Sequence, residues 1–445
     1  MSNSRLIRFL FYQGVCPGGQ MDTNEEKIRG GVLVSIYPQG GERECLTSLD
    51  ELSRLLDTAG AETVGVVTQL KALPDGKTCV GSGKVDEIKQ LVETTGAELV
   101  IFDTELTPVQ IRELEDRIGD VDVLDRSMLI LDIFAKHAQS AEGRLQVELA
   151  QLRYTAPRLS GKGRDMSRLG GGIGTRGPGE SKLEIDRRRI KERIRLLEDE
   201  LAKVEKNRMT MRIARDKSGL KKCAIVGYTN AGKSTLLNCL TDAGILAENK
   251  LFATLDPTTR QFELPSGQTV LLTDTVGFIK RLPHHLIKAF KSTLDEAVYA
   301  DMIMIVCDAS DPEFVEQLKC TSELLTELGA SGKPTLYVFN KCDACADRDM
   351  LTAMKRISSE NGGESVFISA KTGADIDALV AKMQEIAGYG KKRVKFRFPH
   401  SDGSQISVLY KNGDDVVVDY RDDATYAEAT CDEKLSGQLE KYIIE

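Results

Sequence analysis

A glycine-rich stretch that contains one lysine and one serine is the strongest chemical signal in the chain. It follows the pattern G-x-x-x-x-G-K-S, between an apolar run and a helical run, and consists of Gly227, Tyr228, Thr229, Asn230, Ala231, Gly232, Lys233 and Ser234. Backbone N–H groups in such a strand–loop–helix unit bind phosphate oxygens. We expect Lys233 to contact the β- and γ-phosphates and Ser234 to ligate Mg²⁺. The stretch predicts a nucleoside triphosphate site with a catalytic lysine; the alternative is an accidental glycine-rich turn.

A second phosphate-side motif, D-x-x-G, follows about 40 residues later and consists of Asp274, Thr275, Val276 and Gly277. A carboxylate at the end of a strand can hold the hydration shell of Mg²⁺, and the N–H of Gly277 can contact the γ-phosphate. D-x-x-G alone is weak, because many turns contain it. At this distance from a phosphate loop it predicts a catalytic, nucleotide-sensing segment, and residues 274–281 are called switch II below.

Two short motifs further along the chain are typical of guanine recognition. They consist of Asn340, Lys341, Cys342 and Asp343, and of Ser369, Ala370 and Lys371, each after an apolar strand-like run. The Asp343 carboxylate can accept hydrogen bonds from N1–H and the exocyclic amine of guanine. Adenine lacks this pair of donors, so the site would discriminate against ATP. The motifs predict an enzyme that hydrolyses GTP to GDP and phosphate.

A threonine-rich stretch, called switch I below, lies between the phosphate loop and switch II. Its residues are Phe252, Ala253, Thr254, Leu255, Asp256, Pro257, Thr258 and Thr259. In the GTP-bound form of a GTPase, a threonine of this region closes on Mg²⁺ and the γ-phosphate. Position alone leaves Thr254, Thr258 and Thr259 as candidates.

The residue after D-x-x-G is Phe278, where GTPases of the Ras type carry a glutamine that orients the attacking water. A phenyl ring cannot form that hydrogen bond, so we expect slow intrinsic hydrolysis and an external activator. Asn230 could supply an amide oxygen to a K⁺ ion beside the β- and γ-phosphates, which would stabilise the same charge as an arginine finger. The alternative is that Asn230 only hydrogen-bonds the switch backbone.

Composition excludes several classes of protein. The 445 residues predict roughly three or four domains, and the 41% apolar and 29% charged fractions are those of a globular protein. No apolar run approaches the roughly 20 residues of a membrane span, so we expect no stable membrane insertion. The ten cysteines are scattered and there are four histidines, which indicates reduced thiols in the cytoplasm and no zinc site. We also expect the protein to be a monomer and a fraction of it to bind peripherally to membranes.

Charge is distributed unevenly. The net charge of −8 argues against DNA binding, yet residues 153–195 carry 13 Lys/Arg and 5 Asp/Glu, a local net of +8. Such a segment can be a flexible tip with solvated faces. It can also insert into ribosomal RNA through Arg/Lys–phosphate contacts.

Strand and helix signals divide the chain into successive segments. A disordered extension over 1–20 precedes a parallel α/β domain over 21–137. Apolar residues at helical spacing flank the glycine-rich run 170–179, which predicts a long αα-hairpin with a glycine-rich tip over 138–217. Residues 218–389 predict a P-loop GTPase domain with a mixed sheet and helices on both faces. Residues 390–445 predict a small α+β domain.

The periodicity also predicts individual elements. Strands are expected at 31–37, 62–68 and 98–103, and helices at 85–94, 108–118 and 127–134. In the last segment, strands are expected at 394–398, 406–410 and 416–420, followed by a helix at 428–442. Residues 81–84, G-S-G-K, resemble part of a phosphate loop but are interpreted as a turn before a helix; ATP binding by this domain stays an open alternative.

These motifs together resemble the HflX family of translation-factor-class GTPases. The resemblance covers about residues 28–390 and is carried by GYTNAGKST at 227–235, FATLDPTTR at 252–260, DTVGFIKRLPHHLIKAF at 274–290 and, most specifically, GGGIGTRGPGESKLEIDRRRI at 170–190. It implies binding to the large ribosomal subunit and its RNA and, in some members, splitting of stalled ribosomes. It also implies that Thr254 is the catalytic, Mg²⁺-ligating threonine and that residues 252–256 line the nucleotide.

The residues themselves leave two classes of function. The first is a GTP-driven factor that acts on ribosomes, and the second is a signalling switch that binds a protein effector without RNA. An RNA-modifying GTPase is less favoured, because the chain lacks a Cys/His constellation for group transfer.

Overall fold

The chain is described by a computed structural model that covers residues 29–158, 182–216, 220–241, 251–252, 254–281, 291–345, 348–388, 392–431 and 433–444. These ranges contain a parallel α/β domain, a pair of long helices, a GTPase domain with a mixed sheet and a small α+β domain, which confirms the predicted fold class. The described part of the chain has no helix with both the length and the hydropathy of a membrane span. The predicted extension over 1–20 and the glycine-rich tip lie outside the described residues.

A parallel sheet with the strand order β2-β1-β3-β4 forms the centre of the N-terminal domain. Its elements are β1 (Arg29–Tyr37), α1 (Glu42–Thr58), β2 (Ala61–Leu70), α2 (Ser82–Thr95), β3 (Leu99–Phe102), α3 (Pro108–Ile118), β4 (Asp122–Asp125) and α4 (Arg126–His137). Only β4 and α1 lack a counterpart among the predicted elements. Four residues with two aspartates give β4 no periodic signal, whereas the helical spacing of Leu49, Leu52 and Leu56 could have indicated α1.

Two antiparallel helices follow, α5 (Ala141–Thr155) and α6 (Lys182–Asp216). Ion pairs join them along their length: Arg208 to Glu142 at 3.2 Å, Arg193 to Glu148 at 2.7 Å and Arg153 to Glu198 at 2.6 Å. The least exposed positions of α6 repeat at the predicted spacing of four and three, with Leu197 fully buried. The two helices are therefore the arms of the predicted hairpin.

The GTPase domain has a six-stranded sheet with the order β10-β9-β8-β5-β7-β6. Its strands are β5 (Lys221–Gly227), β6 (Thr258–Glu263), β7 (Thr269–Asp274), β8 (Met302–Asp308), β9 (Thr335–Asn340) and β10 (Glu364–Phe367). Its helices are α7 (Lys233–Thr241), α8 (Lys291–Tyr299), α9 (Phe314–Glu327), α10 (Arg348–Glu360) and α11 (Ile376–Ala387). Only β6 runs antiparallel to its neighbour. Gly227, Asp274 and Asn340 are the last residues of three parallel strands, so the predicted motifs meet at one edge of the sheet.

The C-terminal domain is an antiparallel sheet with the order β11-β13-β12. Its elements are β11 (Lys392–Phe398), α12 (Ser404–Asn412), β12 (Asp414–Tyr420), β13 (Thr425–Cys431) and α13 (Glu433–Gln438). The strand predicted at 406–410 is wrong, because Ile406 and Leu409, three residues apart, bury one face of α12. The helix predicted at 428–442 is also wrong at its start, because alternate residues of β13 are buried with a period of two.

Candidate guanine-nucleotide site

The phosphate loop joins the end of β5 to the start of α7. Gly227 has φ of 147° and Gly232 has φ of 93°, both in a region that side chains rarely adopt. A Cβ atom at Gly227 would overlap the carbonyl oxygen of Val306, and one at Gly232 would overlap the amide of Asn340. Glycine at these two positions therefore lets the phosphate loop lie against β8 and the guanine motif.

Lys233 is buried at the centre of this loop, with only 6% of its surface exposed. Its Nζ donates to the carbonyl oxygens of Gly227 at 3.1 Å and Tyr228 at 2.8 Å. Burial lowers the pKa of Lys233 to about 8, although the carboxylate of Asp274 acts in the opposite direction. A Cβ at Gly277 would lie 2.8 Å from the Cα atom of Thr229 and 3.0 Å from Nζ, so glycine allows switch II to lie against the phosphate loop and its lysine. The two predicted catalytic groups of the phosphate side are thus adjacent.

Three oxygen-bearing side chains converge beside Lys233. The Ser234 hydroxyl donates to Asp274 Oδ2 at 2.7 Å and lies 2.8 Å from the Thr254 hydroxyl. The second carboxylate oxygen of Asp274, Oδ1, is buried without a hydrogen-bond partner, and burial raises the pKa of this carboxyl group. Hard oxygen donors with one orphaned carboxylate oxygen are a donor set that suits Mg²⁺.

The geometry distinguishes the three candidate threonines of switch I. Thr254 contacts Ser234, whereas the hydroxyl of Thr259 lies 3.0 Å from that of Thr273 within the sheet. Thr258 begins β6 and pairs with Asp274 through the strand register. Thr254 is therefore the threonine at the oxygen cluster.

Asn340 connects the phosphate side to the guanine side. Its amide nitrogen donates to the carbonyl oxygen of Ala231 at 2.9 Å, and its amide oxygen accepts from the backbone N–H of Ala370 at 2.9 Å. The exposed Asp343 accepts a hydrogen bond from the Ser369 hydroxyl at 2.6 Å. The structure therefore brings the second guanine segment against the first.

The remaining predicted residues occupy supporting positions around this site. The Thr275 hydroxyl donates to the Ile225 carbonyl oxygen at 2.8 Å, and Val276 is buried. The Cys342 backbone N–H donates to the Ile368 carbonyl oxygen at 3.1 Å, while Lys341 pairs with Asp308 at 2.7 Å. Lys371 is exposed beside them, Asn230 is half-buried, and the buried Thr229 hydroxyl has no hydrogen-bond partner among the described residues.

The other residues of switch I contact the N-terminal domain and the hairpin. The Phe252 ring packs edge-on against Phe134, with 4.7 Å between centroids, and Leu255 is buried. The Asp256 carboxylate accepts hydrogen bonds from the backbone N–H groups of Gln139 and Ser140. Ala253 lies outside the described residues. That these residues line the nucleotide stays a prediction.

Phe278 and Tyr228 connect the phosphate loop to its neighbours. The backbone of Phe278 exchanges hydrogen bonds with Gly227 and Thr229 at 3.0 and 2.7 Å, and its ring is fully buried. The Tyr228 hydroxyl donates to Glu51 of α1 and accepts from the backbone N–H of Lys280 at 2.7 Å. No sequence motif indicates Glu51, because it lies 177 residues from Tyr228 in the chain.

Comparison with known proteins places this site in a family. Three family models match in succession: "GTP-binding GTPase N-terminal" over residues 47–135, "GTP-binding GTPase Middle Region" over 137–215 and "50S ribosome-binding GTPase" over 222–341. The chain is 47% identical to the GTPase HflX of Lacrimispora saccharolytica, over 93% of this chain and 96% of that protein. The chain belongs to the HflX family of GTPases. The HflX GTPase of Caldanaerobacter subterraneus is 46% identical over 98% of this chain and 99% of its own length.

The predicted resemblance is thereby confirmed, and with it the enzymatic activity: the protein binds GTP and hydrolyses it to GDP and phosphate. The HflX GTPase of Escherichia coli is 43% identical over 85% of this chain and 88% of its own length. A solved GTP-binding protein from Sulfolobus solfataricus in complex with GDP is 26% identical, covering 81% of this chain and 99% of that one at a TM-score of 0.43. At this TM-score the overlap supports no separate conclusion.

Proposed function

We propose that this GTPase binds the large ribosomal subunit through the basic, glycine-rich end of its helical hairpin, and that its GTP cycle splits or rescues stalled ribosomes. The observation that carries the proposal is the local net charge of +8 over residues 153–195 in a chain of net charge −8. Ribosomal RNA offers a dense array of phosphates to such a segment. The matching family model described as a 50S ribosome-binding GTPase supports the same partner.

The position of the hairpin also supports this proposal. Helix α6 has 35 residues, which corresponds to about 50 Å at 1.5 Å per residue. The N-terminus of α5 contacts switch I, so the arms connect the basic segment with the nucleotide site. A signalling switch that binds a protein effector would not need a cationic, glycine-rich segment between two such helices.

The experiment replaces residues 164–182 by a short neutral linker and measures two properties. GTP affinity should stay within about twofold, because none of the nucleotide motifs is touched. The trimmed protein should lose the stimulation of its GTP hydrolysis by ribosomes. It should also no longer co-sediment with large subunits in the presence of a non-hydrolysable GTP analogue. Full stimulation of the trimmed protein by large subunits would contradict the proposal and favour the signalling switch.

A matched pair of charge variants separates the tip from general electrostatics. Arg164, Arg168 and Arg176 are changed to serine in one variant. The control removes an equal number of exposed cations from β11 by changing Arg393, Lys395 and Arg397 to serine. Only the first variant should weaken ribosome binding and reduce its salt dependence. If both variants weaken ribosome binding equally, the total positive charge of the protein, and not the hairpin segment, determines the binding.

We also infer that Ser234 and Thr254 ligate Mg²⁺ and that Asp274 holds the hydration shell of the ion. Support comes from the three converging oxygens and from the buried, unpartnered Asp274 Oδ1. When bound, the ion neutralises charge on the β- and γ-phosphates. Ser234→Ala should raise the half-saturating Mg²⁺ concentration for GTP-analogue binding about tenfold. Thr259→Ala is the control, and an unchanged requirement in Ser234→Ala would contradict the assignment.

We further infer a monomeric, cytoplasmic protein with a peripheral membrane fraction, and we attribute that fraction to the ribosome binding proposed above. Scattered cysteines without a paired framework support the reduced compartment. Light scattering of the purified protein and cell fractionation after ribosome removal test the two statements. A dimer, or a membrane fraction that survives ribosome removal, would contradict them.

A further inference from the structure

The base of the hairpin is held by an aspartate of switch I. Asp256 Oδ2 accepts hydrogen bonds from the backbone N–H groups of Gln139 at 2.9 Å and Ser140 at 2.7 Å. Asp256 Oδ1 accepts from the Ser140 hydroxyl. Ser140 is also the N-cap of α5, since its Oγ accepts from the backbone N–H of Gly143 at 2.8 Å. One carboxylate therefore binds the turn that connects the N-terminal domain to the first arm of the hairpin, where a negative charge is favoured.

The first turn of α5 is shaped to admit this carboxylate. A Cβ atom at Gly143 would lie 2.5 Å from Asp256 Oδ1 and 3.1 Å from Ser140 Oγ. Glycine is a poor helix former, so Gly143 lowers the stability of α5. The close approach of Asp256 explains why glycine occupies this position. An alanine here would strengthen the helix by itself and displace the aspartate.

The residues before Asp256 are fixed to the N-terminal domain as well. The Leu251 backbone N–H donates to the Thr58 hydroxyl at 3.3 Å, and the Phe252 ring packs on Phe134. Phe252 has φ of 57°, which is unfavourable for a bulky residue and persists only where the surroundings impose it. Thr254, whose hydroxyl lies at Ser234, sits between these anchors and Asp256. The position of the Thr254 hydroxyl is thus set from both sides.

We propose that Asp256 is a positioning residue that couples the base of the hairpin to the Mg²⁺-binding position of Thr254. Only Leu255 lies between Thr254 and Asp256, so a change in the orientation of α5 moves the threonine, and a fixed threonine holds α5. The coupling is reciprocal by thermodynamic linkage: Mg²⁺ and the γ-phosphate strengthen the cap on α5, and an intact cap favours Mg²⁺·GTP over GDP. This inference rests on the proposed ligation of Mg²⁺ by Thr254, but it does not depend on the proposed binding to ribosomes.

The experiment uses the full chain and two readouts. Hydrogen exchange of the Gln139 and Ser140 amides reports the cap directly, and the half-saturating Mg²⁺ concentration for a non-hydrolysable GTP analogue reports the position of Thr254. The variants are Asp256→Ala and Gly143→Ala, with Asp256→Asn as the conservative change that keeps the shape and one acceptor oxygen. Thr107→Ala is the control, because it removes the N-cap of α3 in the N-terminal domain, where Thr107 hydrogen-bonds Gln110 and not switch I.

In the wild-type protein, Mg²⁺ with the GTP analogue should slow exchange of the two amides relative to GDP, by about fivefold or more. Asp256→Ala and Gly143→Ala should abolish this difference and raise the half-saturating Mg²⁺ concentration by a similar factor, while GDP affinity changes less than about twofold. For both the amide exchange and the half-saturating Mg²⁺ concentration, Asp256→Asn should give values between those of the two alanine variants and the wild type. Thr107→Ala should match the wild type in both measurements.

Two results would overturn the proposal. If Asp256→Ala and Gly143→Ala exchange faster at these amides but leave the Mg²⁺ requirement unchanged, the cap only stabilises the hairpin. If the nucleotide does not alter exchange in the wild-type protein, the two ends of switch I are independent. A failure of the Mg²⁺ assignment itself would appear separately, as an unchanged requirement in Ser234→Ala.

Discussion

Arg281 of switch II donates a hydrogen bond to Asp103 of the N-terminal domain, with 2.9 Å between Nη1 and Oδ2, although the two residues lie 178 positions apart. Asp103 is fully buried and also binds Arg126 at 2.7 Å, and Arg126 in turn binds Glu51. Arg281 has φ of 55°, a left-handed conformation. A chain of hydrogen-bonded side chains therefore runs from switch II into the N-terminal domain and, through Glu51 and Tyr228, to the phosphate loop.

Two substitutions in this network should differ widely in their effect on stability. Asp103→Asn leaves the Arg126 guanidinium, whose side chain is 3% exposed, with Glu51 as its remaining carboxylate, and we expect a loss of about 3 kcal/mol of unfolding free energy. Arg281→Ala removes a side chain that is 50% exposed, so we expect a loss of about 1 kcal/mol or less. Urea unfolding of the full chain measures both. Arg54→Ala, which breaks an exposed pair with Asp50, is the control, and equal losses in the two variants would contradict the expected asymmetry.

Base specificity should depend on the Asp343 carboxylate. Asp343→Asn presents an amide that complements the 2-oxo group of xanthine and no longer accepts from the guanine amine, so we expect GTP affinity to fall about 100-fold or more and XTP affinity to rise. The hydrogen bond from Ser369 holds the carboxylate in place, so Ser369→Ala should weaken GTP binding more modestly. Equilibrium titration with fluorescent nucleotides measures both variants. Asp349→Asn, an exposed aspartate on α10, is the control; unchanged GTP affinity in Asp343→Asn would exclude this role.

Asp132 on α4 should make stability depend on pH. Burial raises the pKa of its carboxyl group to about 7, although Lys136 and Arg29 partly oppose the shift. The folded protein therefore retains this proton over a pH range in which the unfolded chain has lost it. The resulting stabilisation is complete below the unfolded pKa near 4 and disappears as pH rises through 7.

Asp132→Asn should consequently stabilise the protein relative to wild type by about 2 kcal/mol more at pH 8 than at pH 5.5. Thermal unfolding at the two pH values measures the difference. Asp57→Asn replaces an exposed aspartate of α1 and should show no such difference. A variant that gains no relative stability at pH 8 would show that Asp132 is ionised without cost in the folded protein.

The sequence predicts the nucleotide motifs because each is local and ends a strand. Gly227, Asp274 and Asn340 stand at the carboxyl ends of parallel strands, and this position alone brings them together. In contrast, the apolar residues of 406–410 fit both the two-residue repeat of a strand and the three-residue spacing of a helix. The sequence pattern therefore cannot distinguish the two, and the packing of Leu409 into the core of the domain selects the helix.

Contacts between domains could not be predicted in the same way. Asp256 belongs to the switch I motif, yet its partners Gln139 and Ser140 lie more than 100 residues earlier and carry no motif of their own. Arg281 and Asp103 are likewise ordinary charged residues until the fold brings them together. Charged side chains are mostly solvated, so the sequence gives no signal that distinguishes these pairs between domains from solvated charges.

The replacement of the Ras-type glutamine by Phe278 leads to the last prediction, which concerns K⁺. The Phe278 ring is fully buried, so this position offers no polar group to the attacking water. Asn230 in the phosphate loop has φ of 61°, a conformation that asparagine tolerates, and its amide oxygen suits a hard monovalent cation. We expect basal hydrolysis to be several-fold faster in KCl than in NaCl at equal ionic strength, because Na⁺ is too small to span the same oxygens.

Two substitutions separate the amide from the backbone at Asn230. Asn230→Ala removes the amide but places alanine in a left-handed conformation that costs about 1 kcal/mol, whereas Asn230→Gly removes the amide without that strain. If K⁺ binds the amide oxygen, both variants lose the difference between KCl and NaCl. If only the alanine variant is impaired, and equally in both salts, Asn230 serves the loop conformation. Equal rates in KCl and NaCl for the wild-type protein would remove K⁺ from the mechanism and leave an external activator as the source of the missing transition-state charge.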